Sequence, residues 1–190
     1  MNQLIKTIEK YIQISEGEKE LIQRLFSEIS ISKGNKLLSE GQICKYLYFV
    51  SKGILRQFIS SDNKEQTIHF NSENSFICDF NSFTEQKPST KNIEALENAT
   101  FLRISKPNLE KFYAQLKQGE RFGRLLVEDA FNKSIKHIYS LKNDSPEKRY
   151  FDFIATYKNL QQSIPQYYIA SFIGVTPQSL SRIRRRMASQ

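Results

Sequence analysis

The sequence has 190 residues, of which 39% are hydrophobic and 25% are charged, and its formal net charge is +8. This composition is typical of a globular protein and excludes a disordered chain or a coiled coil. No segment approaches the roughly 18–20 apolar residues of a transmembrane helix, and the charged N-terminal segment does not resemble a signal peptide. We therefore expect a cytoplasmic protein that does not contact a membrane.

The first thirty residues have a helical pattern. Ser15 and Glu18 have the spacing of a capping box, in which each side chain binds the other residue's backbone N–H. The apolar face that follows consists of Leu21, Ile22, Leu25 and Phe26. This periodicity predicts a helix after Ser15.

From Lys33 to about Ser105, short segments rich in aromatic and β-branched residues alternate with turn signals. The clearest strand candidates are "YLYFV", "ILRQFIS" and "QTIHF". The second and third flank turn residues 61–64, which predicts a hairpin. Short strands at this spacing indicate a β-sandwich, roll or barrel.

Cys44 and Cys78 are the only cysteines, and they lie far apart in sequence. Two distant thiols in a cytoplasmic protein are usually reduced packing residues. An iron–sulfur cluster normally needs about four thiolates, and His69 and His137 lack the spacing of zinc ligands. We therefore predict no metal site and no cofactor.

From Pro107 to Leu141 the pattern is helical again. A narrow stripe with steps of four and three residues runs along its second half. The stripe consists of Val127, Phe131, Ser134, Ile138 and Leu141. Taken alone, such a stripe packs more often on its own domain than on a second copy of the chain, and both interpretations stay open at this point.

The segment "LKNDSPEK" interrupts the helical pattern, since Ser145 can cap a new helix and Pro146 fits its first position. We place a domain boundary there. The predicted parts are residues 1–106, 107–143 and 144–190.

Basic charge is concentrated after this boundary. Residues 145–190 carry a net charge of +5, with seven basic and two acidic residues, and the other 144 residues carry +3. The basic residues are Lys148, Arg149, Lys158, Arg182, Arg184, Arg185 and Arg186. Such a cluster is an electrostatic footprint for a polyanion, most often nucleic acid, although a solvated basic tail is the alternative.

The segment "QYYIASFIGVTPQSLSRIRRRM", residues 166–187, predicts a helix-turn-helix. Ala170 is small where the two helices would cross, and Gly174 lies where the turn needs a residue that tolerates positive φ. Thr176 would cap the second helix and Pro177 would begin it. The shared core would consist of Ile169, Ile173, Val175, Leu180 and Ile183.

The second helix has an apolar face and a polar face. The inward residues are Leu180, Ile183 and Met187. On the other face, Arg182 can bond bidentately to guanine and Gln178 to adenine, whereas Arg185 and Arg186 are expected to meet phosphates. The predicted DNA-binding set is Thr176, Pro177, Gln178, Ser179, Ser181, Arg182, Arg185 and Arg186. An amphipathic helix bound to an acidic membrane or protein is the rival interpretation, and the preceding turn argues against it.

These features, in this order, resemble the Crp/Fnr superfamily of bacterial transcription regulators over roughly residues 33–187. The segment "GNKLLSEGQICKYLYFVSKGILRQF" is similar to the start of its cyclic-nucleotide-binding-type β-roll, and "VTPQSLSRIRRR" to its recognition helix. The resemblance implies an α+β fold with an N-terminal β-roll of the jelly-roll type, a long dimerisation helix and a C-terminal winged-type helix-turn-helix. It also favours a homodimer that pairs through the 127–141 stripe.

The sequence departs from members that bind cyclic nucleotide, which carry a glycine–glutamate pair for the ribose and an arginine–serine pair for the phosphate. By alignment, these pairs fall on Cys78 and Asp79, and on Ser89 and Thr90. Asp79 can still accept a ribose hydroxyl, but the phosphate has lost its bidentate partner, for which Lys87 and Lys91 are poor substitutes. We predict a degenerate effector pocket that cyclic AMP does not control.

The sequence differs from well-known members of the superfamily in two further ways, in its cysteines and in its recognition helix. The cysteines that hold an oxygen-sensing cluster elsewhere in the superfamily are absent. Where well-known members begin the recognition helix with Arg-Glu, this chain has Pro177 and Gln178, while Arg182 matches their downstream arginine. The DNA sequence bound should therefore differ, and no trailing hairpin wing is expected because few residues follow the helix.

The expected function is a homodimeric transcription regulator that binds an inverted repeat in double-stranded DNA. RNA polymerase is a further candidate partner, and the effector is unknown. A cupin-type metalloenzyme is disfavoured because His69 is the only histidine in the predicted roll. The sequence also lacks a nucleophile–base arrangement and a phosphate-binding glycine loop. A cyclic-nucleotide receptor with a divergent pocket and a non-specific architectural DNA-binding protein stay open as alternatives.

Overall fold

The computed structural model describes residues 1–61, 64–157, 160 and 162–188. Two helices, α1 (Asn2–Glu9) and α2 (Glu16–Leu25), come first. The predicted capping box is confirmed, since Ser15 Oγ accepts the Glu18 N–H at 3.4 Å and the Glu18 carboxylate accepts the Ser15 N–H at 2.8 Å. The helical pattern was extended too far, because Phe26 is already extended and a strand follows it.

In the described part of the chain, eight strands form two antiparallel four-stranded sheets. The strands are β1 (Ser27–Ile31), β2 (Lys36–Leu38), β3 (Tyr46–Lys52), β4 (Leu55–Ser61), β5 (Lys64–Asn71), β6 (Phe76–Ile77), β7 (Asn92–Ala95) and β8 (Ala99–Ser105). The sheet orders are β1-β8-β3-β6 and β2-β7-β4-β5, and a short helix, α3 (Phe80–Glu85), lies between β6 and β7. The predicted β-roll is confirmed, although it begins at Ser27 rather than Lys33.

The predicted hairpin is formed by β4 and β5, which pair from Leu55 with Asn71 to Ser61 with Lys64. Its two turn residues, 62 and 63, lie outside the described residues. The strand β5 is the last in its sheet, so one of its edges is left without a neighbouring strand. Such an edge strand presents backbone N–H and C=O groups that need hydrogen-bond partners.

The region predicted as one helical segment divides into α4 (Lys106–Gln115) and α5 (Gly119–Asn143). A Cβ on Gly119 would lie 2.5 Å from the Phe112 carbonyl oxygen, so glycine permits the close approach of the two helices. The 25 residues of α5 give it a length of about 37 Å. No helix in the described residues is both long and apolar enough to cross a membrane.

Three helices follow, namely α6 (Pro146–Thr156), α7 (Gln166–Phe172) and α8 (Pro177–Ala188). The predicted start of α6 is confirmed, since Ser145 Oγ accepts the Lys148 N–H at 3.2 Å and Pro146 is the first helical residue. The described residues after Asn143 form helices, and no strand is present among them.

The C-terminal helices pack directly on the roll. A hydrophobic cluster joins Ile54, Phe70 and Leu96 of the roll to the buried residues of α6, α7 and α8. Phe70 lies near its centre, with its ring centroid 5.4 Å from that of Phe172 and 5.9 Å from that of Tyr157. The division into three parts at residues 106 and 143 stays a prediction, but the last part shares a buried core with the first.

Candidate nucleic-acid interface and effector pocket

The turn between α7 and α8 has the local structure that its sequence predicts. Gly174 adopts a φ of +69°, and the Val175 N–H closes the turn on the Ala170 carbonyl at 2.9 Å. Thr176 caps α8, since its Oγ1 accepts the Ser179 N–H at 3.2 Å. The position of Gly174 is close to α5 as well, because a Cβ there would lie 3.1 Å from Leu141 Cδ2.

The predicted core of this unit is confirmed. Ala170 is fully buried where the two helices cross, and Val175 is half-buried. The fully or almost fully buried apolar side chains are Ile169, Ile173, Leu180 and Ile183. Burial of these residues fixes α8 on α7, so the two helices form one packed unit.

The opposite face of α8 is exposed. Gln178, Ser181, Arg182 and Arg185 all lie on it with exposed side chains. Thr176 and Ser179 of the predicted DNA-binding set are engaged with each other, with their hydroxyl oxygens 3.0 Å apart. We expect Gln178 and Arg182 to contact bases, with Ser181 beside them, and Arg185 to contact phosphate. The Thr176 and Ser179 hydroxyls instead stabilise the start of the helix.

Pro177 and Arg186 complete the predicted set, and both are exposed. The Arg186 guanidinium lies 3.3 Å from the Glu147 carboxylate of α6. An exposed pair of this kind is weak, so it leaves Arg186 able to exchange its partner for a phosphate.

Two basic residues near the start of α6 are already bound by groups of the same chain. Lys148 is paired with Asp152 at 2.6 Å and lies 3.5 Å from Asp144. Arg149 donates to the Asp144 and Leu141 carbonyls at the end of α5. Lys158 lies outside the described residues. Four basic residues of this part of the chain have exposed side chains on α8, namely Arg182, Arg184, Arg185 and Arg186.

The two predicted halves of the effector pocket do meet. Asp79 is only 2% exposed, and its carboxylate accepts the Ser89 hydroxyl at 2.7 Å. The same carboxylate accepts the Lys91 ammonium at 2.7 Å. The carboxylate predicted to accept a ribose hydroxyl is thus already bound to two donors from the same chain. Thr90 points away as an exposed residue.

The two cysteines lie beside this pocket as free thiols. Cys44 is buried and its N–H donates to Ser82 Oγ at 2.9 Å, while Cys78 is half-buried. Burial raises the pKa of both thiols, so they are protonated and poorly nucleophilic at neutral pH. Among the described residues, no group of three or more histidine, cysteine, aspartate or glutamate side chains could hold a metal.

The stripe on α5 faces solvent for most of its length. Val127, Phe131 and Ile138 are 43%, 62% and 45% exposed. Ser134 is exposed too and donates to the Ala130 carbonyl, whereas Leu141 is half-buried near the turn before α8. Packing on its own domain, the interpretation favoured by the stripe alone, is wrong for its first four residues.

Comparison with known proteins identifies the architecture. Residues 28–116 match the family model of the cyclic nucleotide-binding domain. FixK2 from Bradyrhizobium japonicum is similar with a TM-score of 0.75 and 17% identity, over 87% of this chain and 85% of that chain. A putative Crp/Fnr family transcriptional regulator from Eubacterium rectale has a TM-score of 0.70 and 19% identity, over 95% and 88% of the two chains. The chain has the Crp/Fnr fold.

A CooA mutant from Carboxydothermus hydrogenoformans has the same fold, with a TM-score of 0.70, 18% identity, and coverage of 98% of this chain and 84% of that chain. No curated protein matches the sequence significantly. The resemblance to the Crp/Fnr superfamily is therefore confirmed at the level of the fold.

Within this Crp/Fnr fold, the sequence did not identify three important side chains. Lys91 is a poor phosphate ligand by its sequence, but in the structure it is the partner of Asp79. Arg184 contributes only charge to the sequence pattern, yet it lines an open groove with residues 162–166 beside α7. Arg56 is the largest fully buried side chain in the described residues, and no sequence pattern distinguishes it from a surface arginine.

Proposed function

We propose that this chain is a cytoplasmic, homodimeric transcription regulator that binds specific double-stranded DNA through α8 and is not controlled by cyclic AMP. The observation that carries the proposal is the exposed face of Gln178, Ser181, Arg182 and Arg185 on a helix whose other face is fully packed. A helix of this kind fits the major groove, where arginine and glutamine read guanine and adenine edges. We propose no enzymatic activity.

The exposed stripe on α5 supports the dimer. Its steps of four and three residues place one apolar seam along a long helix, which is the pattern of paired helices. Phe131 and Ile138 would be removed from water when two copies pair. A two-fold axis between the copies would place two α8 helices on half-sites about 34 Å apart, so the DNA site would be an inverted repeat.

The occupied pocket supports independence from cyclic AMP. A ribose hydroxyl could reach the Asp79 carboxylate only by displacing the Lys91 ammonium, which is a charged and therefore stronger partner. The sequence contains no arginine between Arg56 and Arg103 that could bind a cyclic phosphate bidentately.

Selection of binding sites from a random duplex library, with no effector added, tests the proposal. The wild type should enrich an inverted repeat whose half-site centres lie about one helical turn apart. Arg182→Ala should lose about 1–3 kcal/mol of discrimination at one guanine in each half-site.

Arg121→Ala is the matched control, because it removes the same charge from an exposed position at the start of α5. It should keep the preference of the wild type. Salt-sensitive retention of DNA without any enriched sequence would contradict specific recognition and favour an architectural protein.

A further inference from the structure

Arg56 is the second residue of β4 and is only 1% exposed. Its Nε donates to Thr67 Oγ1 at 2.9 Å, and its Nη1 lies 2.6 Å from the Glu65 carboxylate and 3.3 Å from the Glu94 carboxylate. A buried guanidinium needs such partners, because an unpaired charge inside a protein is strongly unfavourable. The roll thus supplies the hydrogen-bond partners of Arg56.

The guanidinium also contacts two aromatic rings, and one of them comes from the helix-turn-helix. Arg56 Cζ lies 4.1 Å from the ring centroid of Phe58 in the same strand and 3.5 Å from that of Tyr168 in α7. The Glu94 carboxylate that accepts Arg56 Nη1 also lies near Tyr168, so the tyrosine borders two members of the same cluster. Cation–π contacts are strongest when the cation is removed from water, as it is here.

A second contact joins the same helix to the free edge of β5. The Thr67 N–H donates to Ser171 Oγ at 2.9 Å, and that hydroxyl donates to the Glu65 carbonyl at 3.3 Å. One serine of α7 therefore satisfies a donor and an acceptor that an edge strand would otherwise leave to water. Phe172 of α7 packs on Phe70 of β5 beside this contact.

We propose that Arg56 fastens α7 to the β4–β5 hairpin and thereby fixes the orientation of α8 relative to the roll without a bound effector. Because α7 and α8 share a buried core, a helix α7 that is held on the roll also holds α8. Arg56 is a positioning residue that acts through Tyr168 and does not contact DNA. The inference rests on the proposed function, since it explains how the DNA-binding unit keeps its orientation while the effector pocket is filled by Lys91.

The test uses variants on the α7 side, because replacing a buried arginine risks unfolding the roll. Tyr168→Leu removes the ring and hydroxyl but keeps apolar volume, and Ser171→Ala removes the edge contact. Tyr168→Phe keeps the ring that covers the guanidinium. Phe151→Leu is the matched control, since Phe151 is an exposed aromatic residue of the neighbouring helix α6.

Hydrogen exchange of the full chain is measured first. In the double variant with Tyr168→Leu and Ser171→Ala, amides of residues 64–71 and 166–172 should exchange about tenfold faster or more. The exchange rates of amides in β1, β3 and β8 should be unchanged. Tyr168→Phe and Phe151→Leu should exchange like the wild type in all these segments. Unchanged exchange at residues 64–71 and 166–172 in the double variant would overturn the proposal.

Affinity for the selected DNA site is measured second, and we expect the double variant to bind about tenfold more weakly with the same base preference. Faster exchange with unchanged affinity would show that the contact does not position α8 and would overturn the proposal. Should the wild type select no DNA site, the proposed function fails. The exchange measurement then still tests whether the contacts of Tyr168 and Ser171 join α7 to the roll.

Discussion

The proposed recognition helix, α8, and the predicted effector pocket both contain polar side chains, but those of α8 are exposed and those of the pocket are buried. On α8, Gln178, Ser181 and Arg182 face solvent while the other side of the helix is packed. In the pocket, Asp79 is buried and satisfied by Ser89 and Lys91. The comparison shows that the availability of a polar group, and not its identity, decides whether it can bind an external ligand. The polar face of α8, proposed to bind DNA, is exposed, whereas the carboxylate of the predicted effector pocket is already bound by residues of the same chain.

The largest expected effect comes from breaking the packed face of α8. Leu180 is fully buried between α7 and α8, so Leu180→Ala should lower the free energy of unfolding by about 2–5 kcal/mol. Urea denaturation followed by circular dichroism measures it. Gln178→Ala, on the exposed face of the same helix, should change stability by no more than about 0.5 kcal/mol. Equal losses in the two variants would contradict the assignment of faces.

A pH effect is expected where the roll meets α5. Burial, together with the nearby charges of His137 and Lys133, lowers the pKa of His69 to about 4. The unfolded chain therefore binds a proton more readily than the folded one, and the stability contributed by neutral His69 is lost as the pH falls from about 6.5 towards 4. Between pH 7 and pH 5 the loss should be about 2 kcal/mol.

Urea denaturation at the two pH values measures the effect of His69. The glutamine of the His69→Gln variant is not protonated in this range. The variant should therefore lose about 2 kcal/mol less stability than the wild type between pH 7 and pH 5. A wild type and variant with the same pH dependence would show that His69 is protonated equally in both states.

A smaller effect is expected in the pocket. Lys91→Ala leaves the buried Asp79 carboxylate with only the Ser89 hydroxyl, which should destabilise the chain by about 1–2 kcal/mol. Lys87→Ala is the control, because Lys87 pairs with Glu85 at the surface and should contribute less than about 0.5 kcal/mol. Thermal unfolding of both variants measures the difference. A Lys91 variant as stable as the Lys87 variant would mean that the pocket is not held closed by this pair.

Turns and helix starts could be predicted from the sequence, because they depend on residues that are close together in the chain. Gly174, Thr176 and Pro177 specify a turn and a helix start within four residues, and the structure has both. The capping box at Ser15 and the start of α6 at Ser145 are equally local, and both are present. Motifs of this kind depend on hydrogen bonds between near neighbours, so no knowledge of the rest of the fold is needed.

Contacts between distant residues could not be predicted in the same way. Arg56 meets Tyr168 across 112 positions, and nothing near either residue in sequence indicates the other. The Asp79–Lys91 pair depends on which of several nearby lysines reaches a buried carboxylate, which only the packing of the roll decides. The exposure of Phe131 is likewise a property of the surrounding helices, since the same periodicity fits a helix packed on its own domain.

The most direct test is the affinity of the wild type for its selected inverted repeat, measured by fluorescence anisotropy with and without millimolar cyclic AMP. We expect specific binding with a Kd of about 10⁻⁸ M or lower near physiological salt, and the Kd should be the same with and without cyclic AMP. Binding that appears only when cyclic AMP is added would contradict it, because the nucleotide would then have displaced Lys91 from Asp79.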